Sequence, residues 1–188
     1  MSRGRTGPPP RGFVGEVPHP LALNYNRIAM ATVTLPTTIE PRSPQGEFRN
    51  EPFTDFKTPD NHRAMQAALD HVASELGREY ELVIGGEHFK TADKIRSINP
   101  ARPTQVVGVH QKAGAEHAEQ AMQAALAAFE VWSRTTVEER VSLLLGAAEI
   151  IRKRKFEFCA WLGEEVVKNW AEADADVGET IDFLEFYA

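Results

Sequence analysis

The chain has a single cysteine, Cys159, in 188 residues. That excludes a framework of intrachain disulfides and suits a reducing compartment, so a cytoplasmic location is expected. Cations are also short, with 21 Lys and Arg against 27 Asp and Glu, for a formal net charge of −6. A nucleic-acid surface ordinarily shows as a basic excess on one face, so no nucleic-acid partner is expected. No apolar run approaches the roughly eighteen residues of a membrane-spanning helix, which argues against a membrane partner. The six histidines are scattered and lack the paired spacing of a metal site, so no metal ligands are assigned. What remains, 42% hydrophobic and 26% charged, is the composition of a globular domain that can bury one core.

The opening of the chain differs from the rest. MSRGRTGPPPRG is rich in Gly, Pro and Arg, Pro returns at 18, 20, 36, 41 and 44, and Glu16 is the only acid before Glu40. No continuous apolar stretch or Ser-rich amphipathic pattern makes this a targeting peptide. Residues 1–47 read as a disordered, dispensable extension that buries too little apolar surface to offset its ordering entropy.

Thr58-Pro59 opens a helix, Thr as N-cap and Pro in the first turn, with Met65, Ala68, Leu69, Val72 and Leu76 as its apolar stripe and Gly77 as its end. The period then changes to two. Tyr80, Leu82 and Ile84 alternate in a strand, Gly85-Gly86 turns it, and the chain returns through Phe89. Residues 94–99 and 105–109 read as two further strands around the turn Asn99-Pro100-Ala101-Arg102-Pro103. Beyond Gly114 four helices follow. Ala118, Ala121, Met122, Ala125, Phe129 and Trp132 form the face of the first. Thr136-x-x-Glu139 caps the second, whose stripe is Val141, Leu144, Leu145, Ala148 and Ile151 and whose end is the basic run Arg152-Lys153-Arg154-Lys155. Phe158, Trp161, Leu162 and Val166 line the third; Ala173, Val177, Ile181 and Leu184 line the fourth. Glu172, Asp174 and Asp176 read as charge favoured by the dipole of its first turns.

Few residues invite chemistry. Cys159 lies between Phe158 and Trp161, a setting for a neutral, buried thiol rather than a nucleophile. The run 152–155 ends a helix and so meets carbonyls, the wrong pole for anions; a solvated, dipole-compensating end is expected. Gly85, Gly86 and Gly114 belong to no G-x-G-x-x-G or Walker sequence and read as turn glycines. No catalytic or cofactor-binding residue is therefore assigned.

Lys168-x-Trp170-x-Glu172-Ala173-x-Ala175-Asp176 and the closing IDFLEFYA resemble the N-terminal part of an aldehyde dehydrogenase. FRNEPFTDF at 48–56, YELVIGGEHF at 80–89 and KIRSINPARPTQVVGV at 94–109 make the chain most similar to the L-glutamate γ-semialdehyde (pyrroline-carboxylate) dehydrogenases of proline breakdown. The resemblance covers residues 48–188 and starts near Phe48, so Met30 is a candidate for the true start. It implies an α/β enzyme of which this chain is an α+β fragment: one helix, short antiparallel strands, then four amphipathic helices packed against a nucleotide-binding domain further along. It also implies NAD as cofactor, a thiolate that attacks the aldehyde, and a homo-oligomeric intact enzyme.

The nucleophile and most NAD contacts would lie downstream, so the chain is expected to be a truncated fragment, inactive alone, whose partner is the missing C-terminal part. The rival reading is a non-catalytic helical interaction module derived from the same segment. Glu179 matches the glutamate that looks toward the substrate tunnel in that family, where a carboxylate would meet the substrate ammonium. It is the one substrate-binding candidate, with a structural or surface acid as the alternative reading. Three departures from the pattern stand out. Val167 replaces the Gly that precedes Lys at a helix end, where positive φ suits glycine and not a β-branched residue, and Gly163 and Gly178 weaken their helices.

Overall fold

The computed structural model describes residues 46–188; the extension expected over residues 1–47 falls almost wholly outside them. Helix α1 spans Pro59–Glu75 and five strands follow: β1 Arg78–Tyr80, β2 Leu82–Ile84, β3 Glu87–Phe89, β4 Lys94–Asn99 and β5 Arg102–Gln111. Four helices complete the order: α2 Ala115–Trp132, α3 Val137–Lys153, α4 Lys155–Val166 and α5 Trp170–Tyr187. The expected sequence of helix, strands and four helices is thus the observed one.

Local chemistry explains the punctuation. Pro59 sits in the first turn of α1, but the Thr58 hydroxyl donates to the Asp55 carbonyl at 2.9 Å instead of capping the helix. Gly77, at φ 79°, turns the chain out of α1, and its N–H donates to the Val107 carbonyl at 3.0 Å, tying the helix end to β5. Gly85 and Gly86 both have positive φ, as a tight two-residue hairpin requires, and β2 pairs with β3 through Leu82–Phe89 and Ile84–Glu87. Asn99 shapes the next turn: its side-chain oxygen accepts from the N–H groups of Ala101 and Arg102 at 2.9 and 3.2 Å.

The strands depart from a purely antiparallel arrangement. β5 is central in the order β1-β5-β4; β4 lies antiparallel to it, but β1 runs parallel, with Arg78 opposite Gly108 and Tyr80 opposite His110. The single strand read across Tyr80, Leu82 and Ile84 is in fact two, in separate sheets. Gln111 accounts for the break. Its amide donates to the Tyr80 carbonyl at 3.0 Å, taking the group that would have continued the ladder.

The core lies among four of the helices. Met65 and Val72 of α1, Ala148 of α3, Cys159 and Ala160 of α4, and Ala173, Val177 and Ile181 of α5 form one buried cluster. α4 packs on both α1 and α5, and α3 packs on α5. Small residues at Ala148, Ala160 and Ala173 let these helices approach closely, while Phe156, Trp161, Leu162 and Trp170 close the periphery. The apolar face read on α2 has no such counterpart. Met122 is 56% exposed and Phe129 59%, and α2 makes its main contact with β2, where Ala124 lies against the Gly85 turn. The helical period is right; burial of that face does not follow.

Two further readings are corrected. The cationic run is not one solvated helix end: α3 stops at Lys153, Arg154 caps both helices, and Lys155 opens α4 and is buried. Asp174 is not surface charge on the helix start; only 2% exposed, it pairs with Lys155 at 3.0 Å. The cap of α5 is supplied by Asn169, whose side chain accepts the Glu172 N–H at 3.0 Å.

Candidate functional site

Helix α5 carries the substrate-binding candidate. One side of it faces the core through Ala173, Val177 and Ile181; the adjoining side places Asp174, Gly178, Ile181 and Glu185 at spacings of four, three and four. Glu179 belongs to another stripe, with Glu172 seven residues before and Phe183 and Phe186 four and seven after. All four are exposed, and among the described residues Glu179 has no hydrogen-bond or ionic partner. A free carboxylate on a helix side flanked by exposed aromatic rings can accept hydrogen bonds from a cation brought to that face. A groove of about 390 Å³ runs beside this stripe, lined by Ile151, Phe158, Trp161, Leu162, Glu165, Asp176, Val177 and Thr180. Thr180 adjoins Glu179 in sequence, but Glu179 itself does not line the groove.

The turn into α5 contains the backbone irregularity that the sequence foreshadows. Val167 ends α4 in the left-handed region, φ 59° and ψ 34°, and is the only non-glycine with positive φ among the described residues. Its conformation exposes the Lys168 N–H to the Leu162 carbonyl at 3.4 Å, and Lys168 reaches forward to pair with Asp176. A β-branched residue pays steric strain there that glycine avoids.

Cys159 is fully buried in the core, and its thiol is pushed up to about 11 by loss of solvation first and by the Asp174 carboxylate second. At neutral pH it is a protonated thiol without access to a substrate, the opposite of an activated nucleophile. Among the described residues no group of three or more His, Cys, Asp or Glu is placed to hold a metal, and no helix is long and apolar enough to cross a membrane.

A dinucleotide pyrophosphate would need free N–H groups at a helix start. Every described helix instead carries an acid in its first turn: Asp60, Glu116, Glu138 with Glu139, Glu157 and Glu172 in order. In α3 and α5 the capping side chains also occupy the N–H groups directly. Helix starts of this kind disfavour an anion.

Sequence reasoning missed the polar centre of the fold, the Lys155–Asp174 pair and the extended segment that crosses it. Thr54 donates to Asp174 through its N–H at 2.9 Å and its hydroxyl at 2.6 Å, and the Lys155 ammonium donates to the Pro52 carbonyl at 3.1 Å. A signal was present. Lys155 lies four residues before Cys159, and Asp174 seven before Ile181, so each puts a charge on the inner face of its helix.

With this architecture in view, residues 88–188 match the aldehyde dehydrogenase family, and the chain belongs to that family. Its relatives are more specific. It is 56% identical over 140 residues to a 1-pyrroline-5-carboxylate dehydrogenase of Geobacillus kaustophilus, a match that covers 74% of this chain and 27% of that protein. A solved 1-pyrroline-5-carboxylate dehydrogenase from Thermus with bound NAD is 49% identical, with a TM-score of 0.74, covering 76% of this chain and 28% of that one. The enzyme of the same name from Mycobacterium tuberculosis superposes with a TM-score of 0.69 at 26% identity, over 78% of this chain and 28% of that one. The chain therefore spans about 27% of the length of the curated relatives it matches.

Proposed function

We propose that this chain is the N-terminal portion of an NAD-dependent L-glutamate γ-semialdehyde dehydrogenase and is inactive by itself. The observation that carries the reading is the 54–56% identity to 1-pyrroline-5-carboxylate dehydrogenases over 140 residues. The burial of Cys159 supports the second half of it, since the chain's one sulfur is withheld from solvent and protonated.

In this reading the helices scaffold the catalytic parts, and Glu179 lines one wall of the substrate site. The substrate's ammonium would donate a charge-assisted hydrogen bond to its carboxylate, orienting the aldehyde away from α5. NAD, when bound, accepts the hydride; residues outside this chain would hold it, because acids guard each helix start here. The partner is the remainder of the enzyme, the whole is a homo-oligomer, and the single thiol suits a cytoplasmic setting.

The test is complementation. The chain alone, given glutamate semialdehyde and NAD, should form no NADH above a blank. Co-expressed with the C-terminal remainder of the Geobacillus kaustophilus relative, it should gain soluble yield and produce NADH. Glu179→Gln in that pair should raise KM more than it lowers kcat, because it removes a binding charge. Turnover by the chain alone that Cys159→Ala abolishes would overturn the reading. A monomeric, cooperatively melting chain that gains nothing from the remainder would favour a non-catalytic helical module.

A further inference from the structure

Residues Asn50–Asp55 belong to no helix or strand, yet they cross α3, α4 and α5. Their hold on α5 has a definite register. Both oxygens of Asp182 are taken at one end, by the Asn50 amide at 2.7 Å and the Glu51 N–H at 2.6 Å. Both oxygens of Asp174 are taken at the other, by the Thr54 N–H and hydroxyl. Eight helical residues rise about 12 Å. Three extended residues, from Glu51 to Thr54, reach about 10 Å. The two spans match, so the segment lies extended and antiparallel along one side of α5.

Gly178, midway between the two aspartates, lies beneath it: a Cβ there would come within 3.8 Å of Glu51 Cβ and Cγ. Arg152 of α3 then binds Glu51 and Glu185 together, each at 2.8 Å, fastening the same end.

This grip is polar throughout. Phe53 is 81% exposed, and apolar contacts lie only outside the segment, at Phe48, whose half-exposed ring meets Phe186 edge-on at 5.4 Å, and at Phe56, which joins the periphery of the core. A segment held by side-chain hydrogen bonds with little apolar burial occupies the low-stability end of a fold, whereas the helices beneath share the core. What it covers is the Lys155–Asp174 pair: Asp174 accepts the two Thr54 hydrogen bonds and Lys155 donates one to the Pro52 carbonyl.

We propose that Asn50–Asp55 is a strap that docks on α5 and lifts from it as a unit while the helices stay folded, uncovering the Lys155–Asp174 pair each time it opens. The strap is a conformational device of this chain and does not depend on the enzymatic reading.

Hydrogen exchange on the 188-residue chain reads it directly, because the Glu51 and Thr54 amides are themselves the latch. Separate opening predicts that these amides exchange at least about tenfold faster than the α5 amides of residues 177–182. The double variant Asn50→Ala, Thr54→Val should speed the strap amides a further roughly fivefold and leave α5 within about twofold. Asn50→Ala alone alters an exposed side chain and should give the same pattern in weaker form if the double variant does not fold. Gly178→Leu should release the strap from beneath, with the same split. A common rate for strap and α5, acceleration of both together, or strap amides unmoved by any of these variants would overturn the proposal.

Discussion

Helices α2 and α5 are each eighteen residues long, and each carries a clear apolar stripe, yet their fates differ. α5 buries Ala173, Val177 and Ile181 against α3 and α4. α2 buries nothing: Met122, Leu126, Phe129 and Val131 all stay more than half exposed. The difference lies outside either helix. α5 has both α3 and α4 packed against it within the described residues, whereas α2 has only a short hairpin to lean on. An amphipathic pattern states which side of a helix would be buried; a facing surface determines whether it is. Charge follows the same division. Around α5 the pair Lys155–Asp174 is enclosed, while in the strand region Lys94 and Glu79 meet in the open at 2.8 Å.

The largest way to break the contrast is to remove one charge from each pair. Asp174→Ala leaves the buried Lys155 ammonium with Glu51, at 4.0 Å, as its remaining counter-ion and should cost about 3–5 kcal/mol, whereas Glu79→Ala, at an exposed pair, should barely move the midpoint. Urea denaturation of the two variants measures both. Core truncation comes next. Ile181→Ala on α5 should cost about 2–5 kcal/mol, and Phe129→Ala on α2 should stay within about 0.5 kcal/mol. Equal losses would mean that the α2 face is covered in solution, and sedimentation would then show a larger species.

A smaller effect of opposite sign is expected at the α4–α5 turn. Val167→Gly relieves the left-handed strain and should stabilise the chain by about 1 kcal/mol, less the entropy that glycine adds to the unfolded state. A lower melting temperature would contradict the strained geometry. Within α3, Gly146→Ala has open space for its methyl group and should gain up to about 1 kcal/mol by helix propensity.

The smallest effect is a pH dependence, measured as a difference between wild type and Cys159→Ala. Folding raises the thiol to about 11, so the folded state keeps a proton that the unfolded state releases near the ordinary thiol range. Stability from this group is therefore full below that range and is lost as pH climbs toward 11. Wild type should fall more steeply than Cys159→Ala between pH 9 and 11; parallel curves would place the thiol in contact with water.

Much of the backbone was legible in the residues. The α3 cap came from Thr136 and Glu139, the hairpin from Gly85-Gly86, and the turn between β4 and β5 from Asn99 and Pro100, because each signal is satisfied within a few residues. Val167 belongs with them, since a helix ending in a left-handed residue is a local event. Family membership was legible for a different reason, the order of several separated motifs, which the match over residues 88–188 bears out. Glu179 was placed by that likeness, and the structure adds that it stands free on the open side of α5.

Capping, turn chemistry and period along the chain specified the five helices, the Gly85-Gly86 hairpin and the stripe each helix would offer. Only tertiary structure decided that β1 lies parallel to β5, that the α2 stripe meets no partner within the described residues, and that Lys155 and Asp174 face one another under Asn50–Asp55. Each of those outcomes joins residues far apart in the chain, as Thr54 and Asp174 are. Their energy comes from pairing and desolvation across elements, to which propensity, capping and period are blind.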